Sequence, residues 1–307
     1  MKRKPAGVAF SHGIRVRRLA KVVAAKGATK RSGPPVRTSQ PMSVASPFAG
    51  FPRPSAAEIT RFHTVLAKHY GERRQSKRGT QRGTQRGPEI LDTVVGTILS
   101  QNTTNTNSYK AFGQLKQRFP TWDAVRTARP AAVQRAIKCG GLAPKKSQWI
   151  QHILRTVYKE YKQTTMEHLR AESKQGVHAQ LERFPGVGKK TAAIINLFEV
   201  GHPDMAVDTH VFRYALQLGW VPTEEERLAH NKVSEGKPWP AVTRDSVYEH
   251  LDACFPDRLK YSMHLILTDT VGGLPVHCGA KNQLGFNGHR VIVDGEPLHA
   301  VIERDST

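Results

Sequence analysis

Two short segments of this chain carry side chains that can do chemistry together. FPGVGKKTAAIINLF at 184–198 sets a Pro-Gly-Val-Gly turn directly before a helix that opens on Lys189 and Lys190. Eighteen positions past Lys190 stands Asp208, within AVDTH at 206–210. The turn and the helix start offer backbone N–H groups to a phosphate. A lysine whose surroundings depress its pKa is an amine nucleophile. A carboxylate nearby can move the proton and balance a developing positive charge. A phosphate grip, an amine and a carboxylate point to covalent chemistry on a nucleic acid. Each piece also has a plainer reading: a Pro-Gly turn joins many helix pairs, and Asp208 is placed to cap a helix starting at Thr209.

The charge of the chain fits a polyanionic partner. Its 307 residues carry a net charge of +22 from 47 Lys and Arg against 25 Asp and Glu, and nucleic acid is the commonest partner of such a balance. Residues 1–57 hold 12 basic and no acidic residues, 58–87 add a net +6, and 88–307 only +4. The excess is therefore an N-terminal arm. Cys139, Cys254 and Cys278 are widely spaced, which gives neither a disulfide framework nor a zinc-ligand pattern, so no metal site is expected and a reducing compartment is. No apolar run approaches the roughly 18 residues that span a bilayer, so no membrane association is expected.

Positioning elements surround the two segments. Residues 1–52 lack large apolar periodicity and read as a disordered basic arm. Lys2-Arg3-Lys4 and the Arg15–Lys21 cluster fit a nuclear signal or a DNA-binding arm, the Arg-rich acid-free character fits a mitochondrial presequence, and a solvated tail with no address fits as well. Nucleus and mitochondrion both stay open. Over 53–87 the pattern predicts a helix from Pro54 to Tyr70, N-capped by Ser55, then a flexible basic loop with the tandem RGTQRGTQRG. From Pro88 onward helical periodicity predicts elements around 90–99, 105–118, 130–139, 145–162, 165–171, 175–183, 189–200, 209–218, 223–234 and 243–268. An all-α fold follows. The last residues differ: 289–293 and 296–302 flank Asp294-Gly295 and predict a short C-terminal β-hairpin, with Pro297 confining its second strand to an edge.

Four segments together resemble the helix-hairpin-helix (HhH-GPD) superfamily of DNA glycosylases, most closely its endonuclease III-like branch. They are LERFPGVGKKTA at 181–192, AVDTHVFR at 206–213, ILSQNT at 98–103 and GGLAPKKSQWI at 140–150. The resemblance implies a two-lobed fold. Its six-helix barrel lobe covers 88–202 with the helix-hairpin-helix at 175–200, and its second helical lobe combines 53–87 with 203–270, leaving 271–307 as a tail. It implies Lys190 as the nucleophile that attacks the deoxyribose C1′, displaces the base and forms a Schiff base from which β-elimination cuts the strand. Asp208 would assist. It implies DNA contacts from Gln101, entering the space left by an extruded base, and from Asn102, Lys145, Lys146, Pro185, Gly186, Val187, Gly188, Lys189, Thr191 and His210, the last more structural than catalytic. Burial, or a neighbouring cation such as Lys189, is expected to lower the Lys190 pKa.

The chain departs from the family in one respect. Members typically close with four cysteines holding a [4Fe–4S] cluster, whereas 268–286 offers only Cys278. The cluster is therefore expected to be absent, with a monovalent cation at the hairpin the remaining expected ion. The implied partner is double-stranded DNA with a damaged or abasic site, bound by a monomer, and the implied substrate an oxidised pyrimidine. Two other readings remain: a mismatch or modified-base glycosylase acting on T or U opposite G or on methylcytosine, and a non-catalytic DNA-binding module that uses the hairpin for phosphate alone.

Overall fold

A computed structural model describes residues 45–73, 89–270, 292–293 and 296–297. The basic arm through residue 44, the RGTQRGTQRG tandem and Cys278 lie outside the described residues. Twelve α-helices run through them. α1 spans Ala56–Tyr70, and its N-cap Ser55 accepts from the Glu58 N–H as its position predicts. α2 (Ile90–Ser100), α3 (Asn105–Arg118), α4 (Trp122–Thr127), α5 (Pro130–Ala136) and α6 (Ala143–Tyr161) follow. α7 (Lys174–Leu181) and α8 (Lys189–Ile194) flank the hairpin, and α8 continues as a π-helical segment, Ile195–Val200. α9 (Thr209–Gln217), α10 (Glu224–Val233), α11 (Arg244–Cys254) and α12 (Asp257–Leu265) complete the set. No described helix is long and apolar enough to cross a membrane. β1 (Ile292–Val293) pairs antiparallel with β2 (Glu296–Pro297), with Ile292 opposite Pro297. That is the register expected around Asp294-Gly295; the remainder of the predicted hairpin is outside the described residues.

Several boundaries differ from the periodicity. The expected stretch 243–268 is two helices, because Pro256 has no N–H to continue the first and instead caps the second. Residues 130–139 divide into α5 and a 3₁₀ turn at Lys138–Gly140, and 165–171 is a 3₁₀ turn at Glu167–Ala171. α4 was not expected, since six residues are too few to show a period.

Two apolar cores divide the helices. One gathers Ile90, Leu91, Val94, Val95, Ile98 and Leu99 of α2 with the inner faces of α3 to α8. The other gathers Ile59, Phe62 and Leu66 of α1 with α9, Trp220, α11 and α12. The chain thus crosses to the second core at its start and again after residue 200, as the two-lobed reading expects. α8 lies on the boundary: Ala192 belongs to the first core and Ala193 to the second. Only small side chains let one helix pack closely against both.

Candidate active site and nucleic-acid interface

The hairpin is a succession of short turns. Phe184 N–H bonds Leu181 O at 3.1 Å, and Val187 N–H bonds Phe184 O at 3.1 Å. Gly186 has φ +82°, and a Cβ there would stand 2.4 Å from the Trp149 ring. Glycine is required at 186 on both counts. Gly188 is the N-cap of α8, its carbonyl accepting from Thr191 and Ala192 N–H. No described hydrogen bond within the protein uses the N–H of Gly186 or Gly188, so these amides are available to a phosphate. Pro185 is exposed at the turn. Two expected contacts need correction. Val187 is buried with its N–H engaged in the turn, and Thr191 is 4% exposed within the packed start of α8. Both hold the hairpin from within and present no side chain to a ligand.

Lys190 follows on the second residue of α8, partly buried. Burial pushes its ammonium below the ordinary lysine range, Arg244 acts in the same sense, and Asp208 opposes them. Removing a charge from water disfavours the ammonium, so part of the amine is neutral at lower pH than in a free lysine. The expected helper cation was Lys189; the structure assigns that part to Arg244, an exposed residue at the start of α11. Lys189 instead pairs with Glu249 of the same helix, and a cation already neutralised by a carboxylate perturbs its neighbour less.

Asp208 caps α9. Its Oδ1 accepts from the N–H groups of His210 at 2.9 Å and Val211 at 2.8 Å. Capping and chemistry are compatible, because both cap bonds go to the one oxygen Oδ1. No ion pair joins Asp208 to Lys190 among the described residues, so the amine is not locked in a salt bridge. His210 has a buried Nδ1 with no hydrogen-bond partner. Asp208→Asn tests the two roles separately. Asparagine caps about as well as aspartate, so the melting temperature should change little. Base excision should fall by roughly 10²- to 10³-fold, from loss of the charge opposite a cationic transition state.

A third group lies across the hairpin. Gln101 ends α2, and its Nε2 donates to Gly186 O at 2.7 Å. Asn102 follows with φ +50°. Beside it, Gly141 and Leu142 turn into α6 with positive φ, and Leu142 is 49% exposed. Lys145 is exposed, with Nζ 4.9 Å from the Trp149 ring centroid. Lys146 does not share its position. It is 0% exposed and donates to Leu99 O and Gly140 O, each at 2.8 Å. Its expected DNA contact is therefore corrected to an internal clamp that ties the end of α2, and hence Gln101, to the Gly140 turn.

Sequence reasoning missed Trp149, Arg244, Glu249 and Leu142. Trp149 lay inside a quoted segment, and its partner Gly186 was the signal that a large flat side chain sits underneath. Leu142 lay inside the same quoted segment, but its exposure on a left-handed turn is visible only in the structure. Arg244 and Glu249 had none, being more than fifty residues from the hairpin. Among the described residues no group of three or more His, Cys, Asp or Glu is placed to hold a metal.

The comparisons with known proteins bear on this geometry. The model of the HhH-GPD superfamily base excision DNA repair proteins matches residues 95–238. Endonuclease III of Thermotoga maritima is 31% identical over 166 residues, 53% of this chain and 74% of that protein. The Arabidopsis thaliana protein At3g47830, provisionally named a DNA glycosylase, is 40% identical over 178 residues, 58% of this chain and 55% of that one. The chain thus spans about half the length of this Arabidopsis relative. A solved non-covalent endonuclease III–DNA complex superposes with a TM-score of 0.51 at 19% identity, covering 70% of this chain and 84% of that one, a likeness of fold. With nearly three quarters of a bacterial endonuclease III matched, the chain belongs to the HhH-GPD superfamily of base excision DNA repair proteins.

Proposed function

We propose that the protein is a DNA glycosylase with AP lyase activity, excising damaged bases, with oxidised pyrimidines as the first class to test. The observation that carries this reading is Lys190: a partly buried amine depressed by its surroundings, two residues past the open Gly188 amide and under the electrostatic influence of Asp208, with which it forms no described ion pair. The hairpin holds a phosphate without reading sequence. The target nucleotide leaves the stack, most cheaply where damage has weakened it. Gln101, which donates to Gly186 O, fills the vacancy, and the exposed Leu142 serves as an apolar wedge for the opposite strand. Lys190 attacks C1′ as the C1′–base bond breaks, and the departing base takes a proton from solvent. The amine's proton passes by way of Asp208 to O4′ as the C1′–O4′ bond opens, and the resulting Schiff base acidifies the C2′ proton so that β-elimination expels the 3′ phosphate and cuts the strand. Asp208 balances the cationic sugar and accepts the proton lost by the amine.

The family's [4Fe–4S] cluster does not fit this chain. It needs four thiolates, the 307 residues contain three cysteines, and Cys139 and Cys254 pack against different cores. We propose that the enzyme works as a monomer without the cluster, with a monovalent cation at the hairpin as the one ion it takes. The basic arm fits an address in the nucleus or the mitochondrion.

The test is excision from duplexes carrying oxidised pyrimidines, T or U opposite G, or methylcytosine, with borohydride added to reduce any Schiff base. A trapped adduct on oxidised-pyrimidine or abasic duplexes is expected. Excision without any adduct would favour a monofunctional mismatch enzyme, and binding with neither would leave only a DNA-binding module.

Arg244 gives a pH prediction. Arg244→Gln removes a positive neighbour, so the Lys190 pKa rises and less amine is neutral at a given pH. The acid limb of the pH profile for Schiff-base formation should move to higher pH, with a slower rate near neutrality. Because Arg244 is exposed, the shift should shrink as salt is raised.

A further inference from the structure

Between the π-helical segment and α9 the chain runs through His202, Pro203, Asp204, Met205, Ala206 and Val207 without helix or strand, yet residues 204–207 are buried. Buried backbone needs partners, and here side chains of the surrounding helices supply them. Lys174 Nζ donates to Pro203 O at 3.0 Å, Met205 N–H donates to Asp252 Oδ1 at 2.9 Å, and His264 Nδ1 lies 2.9 Å from Ala206 O. Asp204 is the centre. It is 0% exposed and takes His178 Nε2 at 2.7 Å, Asn196 Nδ2 at 2.8 Å and the Tyr248 hydroxyl at 2.8 Å, with Lys174 Nζ at 3.5 Å. His178 also places Nδ1 2.5 Å from Glu182, so both its ring nitrogens face carboxylates, as an imidazolium requires. Asp252, the second buried carboxylate, pairs with Lys174 and Lys260.

The donors to Asp204 come from the elements that carry the nucleophile. Lys174 and His178 are on α7, Asn196 is six residues past Lys190 on the continuation of α8, and Tyr248 precedes Glu249, the partner of Lys189. Three residues separate Asp204 from Asp208, and the strap between them has no flexible glycine. We propose that Asp204 is a positioning residue: its buried carboxylate locks the 203–207 strap onto the helix-hairpin-helix and so sets the Asp208 carboxylate against Lys190. The proposal rests on the glycosylase/lyase reading. It assigns Asp204 no contact with DNA.

A double-mutant cycle tests it on the full chain, with single-turnover excision and borohydride trapping as rates and binding to a duplex with a reduced abasic analogue as the affinity. Asp204→Asn keeps the shape but removes the charge that holds His178 and Lys174. The expected result is a rate about 10- to 100-fold lower, the cost of a displaced catalytic group, with affinity within about threefold. In an Asp208→Asn background the same change should have little further effect, because what it positions is gone. Tyr248→Phe, which deletes one hydroxyl, gives a smaller fall with the same dependence and carries the test if Asp204→Asn does not fold. A rate unchanged in folded Asp204→Asn, or a loss that multiplies fully with that of Asp208→Asn, would overturn the positioning role. Wild-type protein that neither excises nor traps would instead overturn the glycosylase reading on which it rests.

Discussion

Lys190→Gln should eliminate the borohydride-trapped adduct entirely, while the protein stays folded and still binds an abasic duplex. Under the proposed mechanism the Lys190 amine forms the covalent bond, so its loss should cost on the order of 10⁴-fold or more in strand cleavage, the scale seen when a covalent nucleophile is deleted. The hairpin amides are backbone groups and persist in the variant, so affinity should fall only modestly. Stability should move the other way. A lysine whose folded pKa lies below its unfolded value penalises the fold at every pH where both states would hold the proton. Lys190 is such a group. Gln at 190 removes the penalty, so the variant should melt at or above the wild-type temperature at neutral pH. The difference should close as pH rises from the lowered folded pKa through the ordinary lysine range. A trapped adduct surviving in Lys190→Gln would move the nucleophile elsewhere, with Lys189 the next to examine.

The second large effect belongs to Gly186. An alanine there meets two obstacles at once: a left-handed φ of +82° and a ring whose nearest atoms lie 2.4, 2.8 and 2.9 Å from the new Cβ. Backbone and ring cannot both stay in place. A loss of about 2–4 kcal/mol is expected from conformational strain and overpacking together, measurable by chemical denaturation, and DNA affinity should fall by at least about tenfold as the amides turn away from the phosphate. Gly188 makes the contrast. It has open space around its Cβ position and an ordinary φ of −120°. Gly188→Ala should therefore cost only the modest penalty of alanine at an N-cap, about 0.5–1 kcal/mol, while weakening DNA binding. If both substitutions behaved alike, the packing of Trp149 beneath the turn would not be what demands glycine.

Much of this site was legible before any coordinates. Lys190 and Asp208 sit on the elements their neighbours predict, α3 has the bounds its periodicity suggests, and Ser55 caps α1. These are local matters, governed by period and capping. The errors also have physical reasons. Lys145 and Lys146 are adjacent and chemically alike, but a helix turns about 100° between them. That turn puts Lys146 on the stripe with Ile150, Ile153 and Val157, so its burial was readable from phase. Arg244, Glu249 and the strap around Asp204 were not, because they are assembled by tertiary packing between helices distant in sequence. The same limit separates the Lys189 expectation from the outcome: adjacency in sequence suggested a helper cation, and Glu249 of another helix had already claimed it.

Ala192 and Ala193, about 100° apart on α8, face different cores, and that has a mechanical consequence. The nucleophile rides on a wall shared by two rooms, so neither lobe can tilt toward bound DNA without carrying Lys190 along or shearing past a helix only methyl groups deep. In the proposed enzyme, tension on the duplex delivered through a phosphate at the hairpin would be transmitted to the amine instead of being dissipated between the lobes.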